Sequence, residues 1–598
     1  MQAVRTTKVT ECDLLDPLSM FAAQKDTVAE PAPATPTIYQ ALGERPKEES
    51  KKAHDVSAAS LKNVEAKSNA QANSASSPLK AQPAIQSKPV VNQQSGEDDS
   101  PLRFLSGEQK IMSILDSFIT IATGEIISGT LFMTNYRLVF IPSMADLSSI
   151  SITNPSIHSW LQIPIASIEK IEKEKRGKDI NSTINIAITC KDFRVVRIAI
   201  RSNTTRPNSG DNDIERAISV ISAYAFPNNM KYLFAFTHKL NGVQEKDQAG
   251  PYDPIIEFSR MGVLDNPQWR VTNANSSYQL CSTYPQLLVV PAGITDDELH
   301  TIAGFRSGHR LPVLCWADRE SGASMWRSAQ PKAGVSGSCS QDEKMLDQIA
   351  RSCAFNYSRK RNETKRYSND NTLFIVDCRS RASAMANRAA GAGYESQTNY
   401  GSSKLDFYGI SNIHAVRDMY KSLASILLNA PSTSSSDTTF TKQIEDTQWL
   451  NSLRNIIKAS YDTAQFLYQG APVLVHCSHG WDRTAQVCAL AQLFIDPYYR
   501  TFEGFKVLVE REWISLGHPF QMRCAHSQDK ATRADDQLSP IMMQFLDCVW
   551  QIHHQCVQYF EFNARYILTV ADHVYSGRFG TFLFSSDSDR VSFLIYIR

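Results

Sequence analysis

The sequence lacks any apolar run of the roughly 18 residues that a membrane-spanning helix needs. Apolar stretches such as QLLVV and FLIYI have only the length of strands, and the first residues contain no apolar block typical of a secretory signal. An excess of one charge is also missing, because 62 Lys and Arg stand against 61 Asp and Glu, for a net charge of +1. We therefore expect no membrane span and no nucleic-acid partner, and any anionic ligand must be held by a local group of residues.

Closely spaced cysteines are absent as well. The twelve cysteines include no CxxC motif and show no regular close spacing. This distribution is not typical of a disulfide framework or of a zinc site. We expect reduced thiols in a cytoplasmic protein, with no metal and no other cofactor.

The first hundred residues are poor in apolar and aromatic side chains. They are rich in Ala, Ser, Lys, Gln and Pro. Such a segment buries too little apolar surface to offset the entropy that it would lose on ordering. We expect a disordered tail over residues 1–100 and, because 598 residues exceed what one core accommodates, a multidomain protein after it.

A β-rich region follows the tail. Residues 124–143, GEIISGTLFMTNYRLVFIPS, and residues 184–200, INIAITCKDFRVVRIAI, alternate β-branched or aromatic side chains around turn signals. Residues 214–226, IERAISVISAYAF, have helical spacing and could cover an open edge or end of a sheet. The pattern predicts a small antiparallel barrel or sandwich over residues 101–240.

The rest of the chain mixes strands and helices. Residues 372–380 and 471–478 are short, nearly continuous apolar runs, as expected of central strands that are buried on both faces. Residues 449–469 and 484–496 have helical periodicity. This alternation predicts an α/β domain with a mainly parallel central sheet over residues 250–598. Residues 429–443 are expected to form a solvated loop.

The stretch VLVHCSHGWDRTAQV, residues 473–487, contains a C-x5-R pair, Cys477 and Arg483. The spacing alone is weak, since Cys353 and Arg359 also fit it, although no glycine, apolar strand or amphipathic helix accompanies that copy. Before Cys477, an apolar strand delivers the thiol at its carboxyl end, where α/β sheets place their ligand crevices. A helix is predicted to begin near Thr484.

This loop has the features of a phosphate-binding site with a sulfur nucleophile. Backbone N–H groups and a helix N-terminus can surround one anion, and Gly480 permits the positive φ that such a loop needs. The same field lowers the pKa of a thiol such as Cys477, and the planar fork of Arg483 can hold two phosphate oxygens. Asp482 is the nearest acid to protonate a leaving oxygen, so the residues predict phosphoryl transfer through a cysteinyl-phosphate. The alternative is that Cys477 is one more inert buried thiol.

The loop sequence HCSHGWDRT closely resembles the myotubularin signature, whose usual form is HCSDGWDRT. The region around GTLFMTNYRLVF also resembles the lipid-binding PH-GRAM domain that precedes the phosphatase domain in this family. The resemblance covers about residues 101–590 and includes RMG (260–262), FRSGHRLPVLCW (305–316), SGASMWRSAQP (321–331), AMANRAAGAGYES (384–396), SNIH (411–414), LSPIMMQFLDCVWQ (538–551) and DHVYSGRFGTFL (572–583).

The resemblance implies a phosphatase that removes the 3-phosphate from phosphatidylinositol 3-phosphate and phosphatidylinositol 3,5-bisphosphate. It implies that Cys477 is the nucleophile, Arg483 the phosphate-binding cation and Asp482 the general acid. It also implies a cytoplasmic protein that binds phosphoinositide lipids, associates peripherally with endosomal membranes, and forms homo- or hetero-oligomers with other myotubularins. The substrate contacts that it implies are Ser478, His479, Gly480, Trp481, Asn387, Asn412, Ile413 and Arg523. Without the resemblance, an asparagine such as Asn387 could equally cap a helix, and Ile413 could belong to the core.

The sequence departs from the family pattern at two positions near the loop. His479 stands where active members usually carry Asp; a neutral imidazole can hydrogen-bond a phosphate, whereas a protonated one would add positive charge. Pro519 stands where the family commonly directs a lysine toward the headgroup, while Arg523 keeps the second basic position. We expect weaker attraction for a second phosphate and therefore a preference for the monophosphate. The chain also ends soon after residue 590, so we expect no C-terminal coiled coil of the kind found in many members.

Two other functions fit parts of the sequence. The family includes inactive members that act as adaptors for active ones, but these typically lose the cysteine or the arginine, and both Cys477 and Arg483 are present here. A protein-tyrosine phosphatase would use the same loop chemistry. The PH-GRAM-like region and the aromatic Trp481 in the loop favour a lipid substrate instead.

Overall fold

The computed structural model describes residues 102–120, 126–143, 161–174, 184–200, 209–227, 229–238, 252–352, 372–428, 437–526 and 535–597. The tail expected over residues 1–100 lies outside these ranges. Residues 104–598 belong to one compact unit, which contains a seven-stranded sheet followed by a larger α/β part. Within the described ranges, no helix is both long enough and apolar enough to cross a membrane.

The first sheet contains the strands β1 (Lys110–Thr120), β2 (Ile126–Thr134), β3 (Arg137–Pro142), β4 (Gln162–Pro164), β5 (Ile168–Lys173), β6 (Ile184–Cys190) and β7 (Val195–Ile200). It is antiparallel, with strand order β4-β3-β2-β1-β7-β6-β5. Both predicted hairpins are confirmed, since β2 pairs with β3, and β6 pairs with β7 around the turn at Lys191 and Asp192. Alternate side chains such as Ile186, Ile188 and Val196 enter one core.

One helix, Ser209–Ala225, packs on this sheet. It includes most of the helix predicted over residues 214–226. Ile214, Ala217 and Ile221 recur at intervals of three and four residues and are buried in the core of the sheet. This helical spacing places the apolar face toward the strands, as the sequence pattern indicated.

The strands of the α/β part are β8 (Trp269–Thr272), β9 (Leu288–Pro291), β10 (Val313–Ala317), β11 (Ser324–Ala329), β12 (Leu373–Asp377), β13 (Ser403–Phe407) and β14 (Val473–Cys477). Strands β8 and β9 form a separate hairpin, and a five-stranded sheet in the order β10-β11-β14-β12-β13 forms the centre. The pairs β11-β14, β14-β12 and β12-β13 are parallel, and β10-β11 is antiparallel. All five residues of the central strand β14 are buried.

Helices surround this sheet. The helix Arg483–Ile495 follows β14 and is buried from Thr484 onward on all sides, so it lies inside the core against the helix Trp449–Tyr468. The helices of the α/β part are Pro254–Arg260, Asp296–Phe305, Ser340–Ser352, Arg381–Ala389, Ile413–Leu428, Asp437–Asp446, Trp449–Tyr468, Arg483–Ile495, Phe502–Val509, Phe520–Cys524, Ile541–Gln555, Ala564–Ser576 and Asp587–Ile597, with a π-helical segment at Glu510–Ser515.

Part of the loop predicted over residues 429–443 is a helix. Residues 429–443 were expected to form a loop, but Asp437–Asp446 is a helix, and residues 429–436 lie outside the described ranges. The serine- and threonine-rich composition favoured a loop locally. Packing of this helix against the helices Ile413–Leu428 and Trp449–Tyr468 outweighs that weak preference.

Candidate active site

The candidate site lies at the carboxyl end of β14, where the strand ends at Cys477 and a helix begins at Arg483. Between them, residues 478–482 form an irregular loop. Gly480 has a φ of +75°, and a Cβ atom at this position would lie only 2.3 Å from the Ser328 carbonyl oxygen. The Gly480 N–H donates a hydrogen bond to Cys477 Sγ at 3.2 Å. Glycine is therefore required both by the backbone conformation and by the close approach of β11.

The thiol of Cys477 is buried, with 2% of its surface exposed. Burial alone would raise its pKa, but the charge of Arg483 and the adjacent hydroxyl and N–H of Thr484 more than offset that effect, although Asp482 opposes them. The pKa of Cys477 consequently lies below its ordinary value. This position favours the thiolate, which is the nucleophilic form of cysteine.

Arg483 lies beside the loop, and its guanidinium makes long hydrogen bonds. Its Nη2 donates to the Ser478 hydroxyl at 3.3 Å, and its Nη1 donates to the Ile410 carbonyl at 3.4 Å. Within the described part of the chain, no carboxylate is in ion-pair contact with Arg483. A guanidinium whose contacts are this long is well suited to bind two oxygens of a phosphate.

Asp482 and Arg523 form a bidentate ion pair. Arg523 Nε donates to Asp482 Oδ1 at 3.0 Å, and Arg523 Nη2 donates to Oδ2 at 2.9 Å. Burial would raise the pKa of Asp482, but the ion pair with Arg523, together with the neighbouring His518 and Arg483, more than offsets burial, so the pKa lies below its ordinary value. His518 lies 3.4 Å from the same carboxylate and donates from Nδ1 to the Trp481 carbonyl at 2.8 Å. Burial lowers the pKa of His518 to about 4, so this ring is neutral.

His479 lies at the open side of the loop, where its ring stacks on Trp481 with centroids 4.8 Å apart and planes 13° apart. Partial desolvation and three neighbouring arginines lower the pKa of His479, although Asp482 acts in the opposite direction. The imidazole is therefore neutral at neutral pH in the ligand-free protein. It can hydrogen-bond a ligand while covering one face of Trp481.

The other residues implied by the resemblance lie at different depths. Asn387 donates to Gln330 Oε1 at 3.1 Å and reaches the Ser478 hydroxyl at 3.4 Å, so its side chain lies at the edge of the loop and does not cap a helix. Asn412 is exposed and its side chain accepts from the Ala415 N–H at 3.0 Å, which caps the helix Ile413–Leu428. The side chain of Ile413 packs against the core.

Two buried arginines, Arg310 and Arg327, bind the backbone of the loop and were not predicted as site residues from the sequence. Arg327 Nη2 and Arg310 Nη2 both donate to the Gly480 carbonyl, at 2.7 Å and 3.1 Å. Arg327 is paired with Glu512 at 2.7 Å. Arg310 instead donates to the hydroxyl and carbonyl of Thr283 and stacks over Tyr284, with 4.2 Å from the guanidinium carbon to the ring centroid. Arg327 lies inside the otherwise uncharged strand β11, and a charged side chain is almost never fully buried unless it is paired, which was the available signal for this residue.

A buried ionic network supports the residue before the nucleophile. His476 Nε2 lies 3.0 Å from Glu395, and Arg306 pairs with both Glu395 and Asp342 at 2.6 Å. Burial alone would lower the pKa of His476, but the charges of Glu395 and Asp377 raise it above the ordinary value. Burial alone would raise the pKa of Glu395, but the charges of His476 and Arg306 lower it far below the usual range.

The described residues contain one group with metal-ligating atoms close together. Ligand atoms of Cys315, Cys488 and Glu512 lie within 4.8 Å of one another. The Glu512 carboxylate, however, already accepts hydrogen bonds from Arg327 and Gln492. Because its oxygens are engaged by these donors, the group is explained without a metal.

Comparison with known proteins identifies the family. Residues 232–591 match the family model described as myotubularin-like phosphatase domain. The chain belongs to the myotubularin family. It is 39% identical over 512 residues to the phosphatidylinositol-3,5-bisphosphate 3-phosphatase MTMR2 of Pongo abelii, covering 82% of this chain and 71% of that protein. It is 40% identical over 493 residues to MTMR2 of Gallus gallus (79% and 77% covered) and 38% identical over 471 residues to myotubularin of Xenopus tropicalis (78% and 71% covered).

Among solved structures, the Vps36 N-terminal PH domain matches with a TM-score of 0.15 and 12% identity, covering 20% of this myotubularin and 82% of that chain. At this TM-score the match supports no inference. The resemblance drawn from the loop and the surrounding motifs is confirmed by the family match.

Proposed function

We propose that this myotubularin is a phosphoinositide 3-phosphatase that acts on phosphatidylinositol 3-phosphate and phosphatidylinositol 3,5-bisphosphate. The observation that carries the proposal is the Cys477 thiol, with its lowered pKa, at the floor of a loop closed by the Arg483 guanidinium. The substrate class is supported by the names of the relatives MTMR2, each a phosphatidylinositol-3,5-bisphosphate 3-phosphatase.

The reaction has two steps. In the first, Cys477 Sγ attacks phosphorus and the bond from phosphorus to the inositol oxygen breaks, while Arg483 and the loop N–H groups stabilise charge on the phosphoryl oxygens. The inositol oxygen takes a proton from Asp482. In the second step, water attacks the cysteinyl-phosphate, its proton passes to Asp482, and phosphate and the Cys477 thiolate are released.

Asp482 must be protonated in the first step, yet its ion pair with Arg523 favours the carboxylate in the ligand-free protein. A bound phosphate dianion competes for Arg523 and disfavours a second negative charge beside it. Substrate binding therefore raises the pKa of Asp482 when the proton is needed. Arg523 is in this way both a substrate contact and the residue that links binding to proton transfer.

The remaining contacts and partners belong to the same proposal. Ser478, His479, Gly480 and Trp481 contact the 3-phosphate or the inositol ring, and Asn387, Asn412 and Ile413 border the headgroup. The seven-stranded sheet serves as a PH-GRAM-like domain that makes peripheral contact with endosomal membranes. The protein also associates with further copies of itself or with other myotubularins.

Pro519 is proposed to bias the enzyme toward the monophosphate. It is buried and immediately precedes the helix Phe520–Cys524, which carries Arg523. Pro519→Lys adds a cation whose long side chain can extend toward the site, so activity on the bisphosphate relative to the monophosphate should rise. Pro519→Met is the control of similar length without charge. An unchanged ratio in Pro519→Lys contradicts this part of the proposal.

The deciding experiment measures phosphate release from short-chain phosphatidylinositol 3-phosphate between about pH 5 and 8. Wild type, Cys477→Ser and His479→Asp are compared. Turnover in wild type that Cys477→Ser abolishes supports a cysteine-dependent lipid phosphatase. Faster turnover of a phosphotyrosine peptide than of the lipid would instead favour a protein-tyrosine phosphatase.

A second candidate function is a phosphoinositide-binding adaptor without turnover. It is favoured by the ion pair that holds Asp482 as a carboxylate. In that case wild type binds vesicles containing phosphatidylinositol 3-phosphate but releases no phosphate. Turnover restored by His479→Asp would locate the cause at the loop histidine.

A further inference from the structure

A second cysteine, Cys378, lies next to the nucleophile on the neighbouring strand. Strands β12 and β14 pair in parallel with Val376 opposite Val475 and Asp377 opposite His476. The ladder continues one residue further, because the Cys378 N–H donates to the His476 carbonyl at 2.9 Å. The next pair across the two strands is therefore Cys378 and Cys477.

This register places the two cysteines at the separation that a disulfide needs. Neighbouring strands lie about 4.7–4.9 Å apart, and disulfides join Cα atoms about 4.4–6.8 Å apart. Residues paired across parallel strands direct their side chains to the same face of the sheet. The electrostatics agree with that placement, since both thiols interact with each of Arg483 and Thr484, and Cys378 also interacts with Cys477 itself.

The two thiols differ in reactivity, although both are buried. Burial first, and then the negative charges of Cys477 and Asp377, raise the pKa of Cys378 well above its ordinary value, whereas the pKa of Cys477 is lowered. A peroxide reacts with the thiolate, so Cys477 is oxidised first. Oxidation also removes the negative charge of Cys477, which is one of the causes that keep Cys378 protonated.

We propose that Cys378 is a resolving cysteine that forms a reversible disulfide with Cys477 after oxidation by a hydroperoxide. In the first step, the Cys477 thiolate attacks the terminal peroxide oxygen, the O–O bond breaks, and Cys477 becomes a sulfenic acid, while hydroxide leaves from hydrogen peroxide or an alkoxide from an organic hydroperoxide. In the second step, Cys378 sulfur attacks the sulfenic sulfur, the S–O bond breaks, and the thiol proton leaves with the hydroxyl as water. The disulfide inactivates the nucleophile, prevents its further oxidation, and is reopened by a dithiol.

The chemistry of the pair does not depend on lipid turnover, whereas its effect on activity rests on the proposed function. The full-length chain is treated with hydrogen peroxide, alkylated and digested with trypsin without reduction. The two cysteines fall in separate tryptic peptides, residues 367–379 and residues 459–483, and each peptide contains one cysteine only. Mass spectrometry therefore reads the cross-link directly.

Cys378→Ala is compared with Cys548→Ala, which removes another buried thiol whose pKa is also raised well above its ordinary value by burial. We expect the linked peptides in wild type and Cys548→Ala, and dithiothreitol should restore both the free thiols and the lost phosphatase activity. In Cys378→Ala the activity should stay lost after dithiothreitol, with Cys477 present as sulfinic or sulfonic acid.

The proposal is overturned if wild-type Cys477 reaches the sulfinic or sulfonic state as fast as in Cys378→Ala, or if it is linked to a different cysteine. If Cys378→Ala does not fold, Cys378→Ser replaces it in this comparison. In wild type alone, a Cys477 that is oxidised to sulfinic or sulfonic acid without any cross-link to Cys378 also overturns the proposal. If wild type shows the cross-link but no lipid turnover at all, the resolving cysteine stands and the proposed function alone fails.

Discussion

Among single residues of the site, Arg523 controls the charge of Asp482 most directly. Arg523→Gln removes the largest of the effects that lower the pKa of Asp482, so this pKa should rise. A general acid works only when protonated, so the high-pH limb of kcat/KM should move to higher pH in the variant. The lost charged contact should also reduce kcat/KM by about 10–100-fold.

The control for this prediction is Arg523→Lys, which keeps the positive charge but loses the bidentate hydrogen bonding to Asp482. It should move the limb less than Arg523→Gln does. A high-pH limb that is identical in wild type and Arg523→Gln would show that Asp482 is not the acid. The measurement is the pH profile of kcat/KM on a soluble phosphatidylinositol 3-phosphate.

Gly480 is the residue whose backbone fixes the shape of the loop. Gly480→Ala places a Cβ atom 2.3 Å from the Ser328 carbonyl oxygen and retains an unfavourable positive φ of +75°. We expect a loss of roughly 2–4 kcal/mol in the free energy of unfolding, measured by urea denaturation. Gly304→Ala is the matched control, because nothing lies within 4 Å of its Cβ position and alanine favours the helix around it. Equal stability of the two variants would contradict the role assigned to Gly480.

At the scale of elements, the buried ionic network of His476, Glu395 and Arg306 stabilises β14. Glu395→Gln leaves a buried guanidinium with one carboxylate fewer and should cost about 3–5 kcal/mol of unfolding free energy. Asp265→Asn, which breaks the exposed pair with Arg319, should cost at most about 1 kcal/mol. Urea denaturation of both variants measures the difference, and similar values would mean that the network does not stabilise the strand.

The same network predicts a pH dependence of stability. The raised pKa of His476 adds stability that is fully present below its unfolded pKa of about 6.5 and is lost as pH rises through the folded pKa. Glu395→Gln removes the main charge that raises this pKa. The free energy of unfolding should therefore fall more steeply above pH 6.5 in wild type than in Glu395→Gln. Parallel curves for the two proteins would assign the dependence to other groups.

Local elements and hairpins were predictable where the pattern is strong, whereas contacts between residues far apart in the sequence were not. Strands β6 and β7 alternate cleanly around one turn, and they appear as the sequence predicts. Strand β1 was missed because two irregularities in its register, between Lys110 and Met112 and between Ile114 and Ser117, interrupt the alternation. The partners Arg306 and Glu395 are 89 residues apart, and no local pattern joins them. The function of the Cys477 loop was predictable because the residues that carry its chemistry are consecutive, at positions 477–483.

At the scale of the whole molecule, the seven-stranded sheet is joined to the α/β part close to the site. Lys191 Nζ, in the turn between β6 and β7, donates to the Ala525 carbonyl at 3.1 Å. Ala525 ends the helix Phe520–Cys524, which carries Arg523. Arg523 also lines a cavity of about 470 Å³ between the two parts. The sheet therefore contacts the segment that positions Arg523, the partner of Asp482.

Phe193 offers a test of this junction. Its ring stacks on Tyr420 of the helix Ile413–Leu428, with centroids 3.9 Å apart and planes 22° apart. Phe193→Ala removes this contact and its buried area, which should weaken docking of the sheet by about 1–3 kcal/mol. Hydrogen exchange should then be faster in β5, β6 and β7, while exchange in β14 stays close to wild type, because the central core is untouched. Tyr224→Ala, an exposed aromatic on the helix Ser209–Ala225, is the control. If both variants change exchange equally, the junction does not stabilise the sheet.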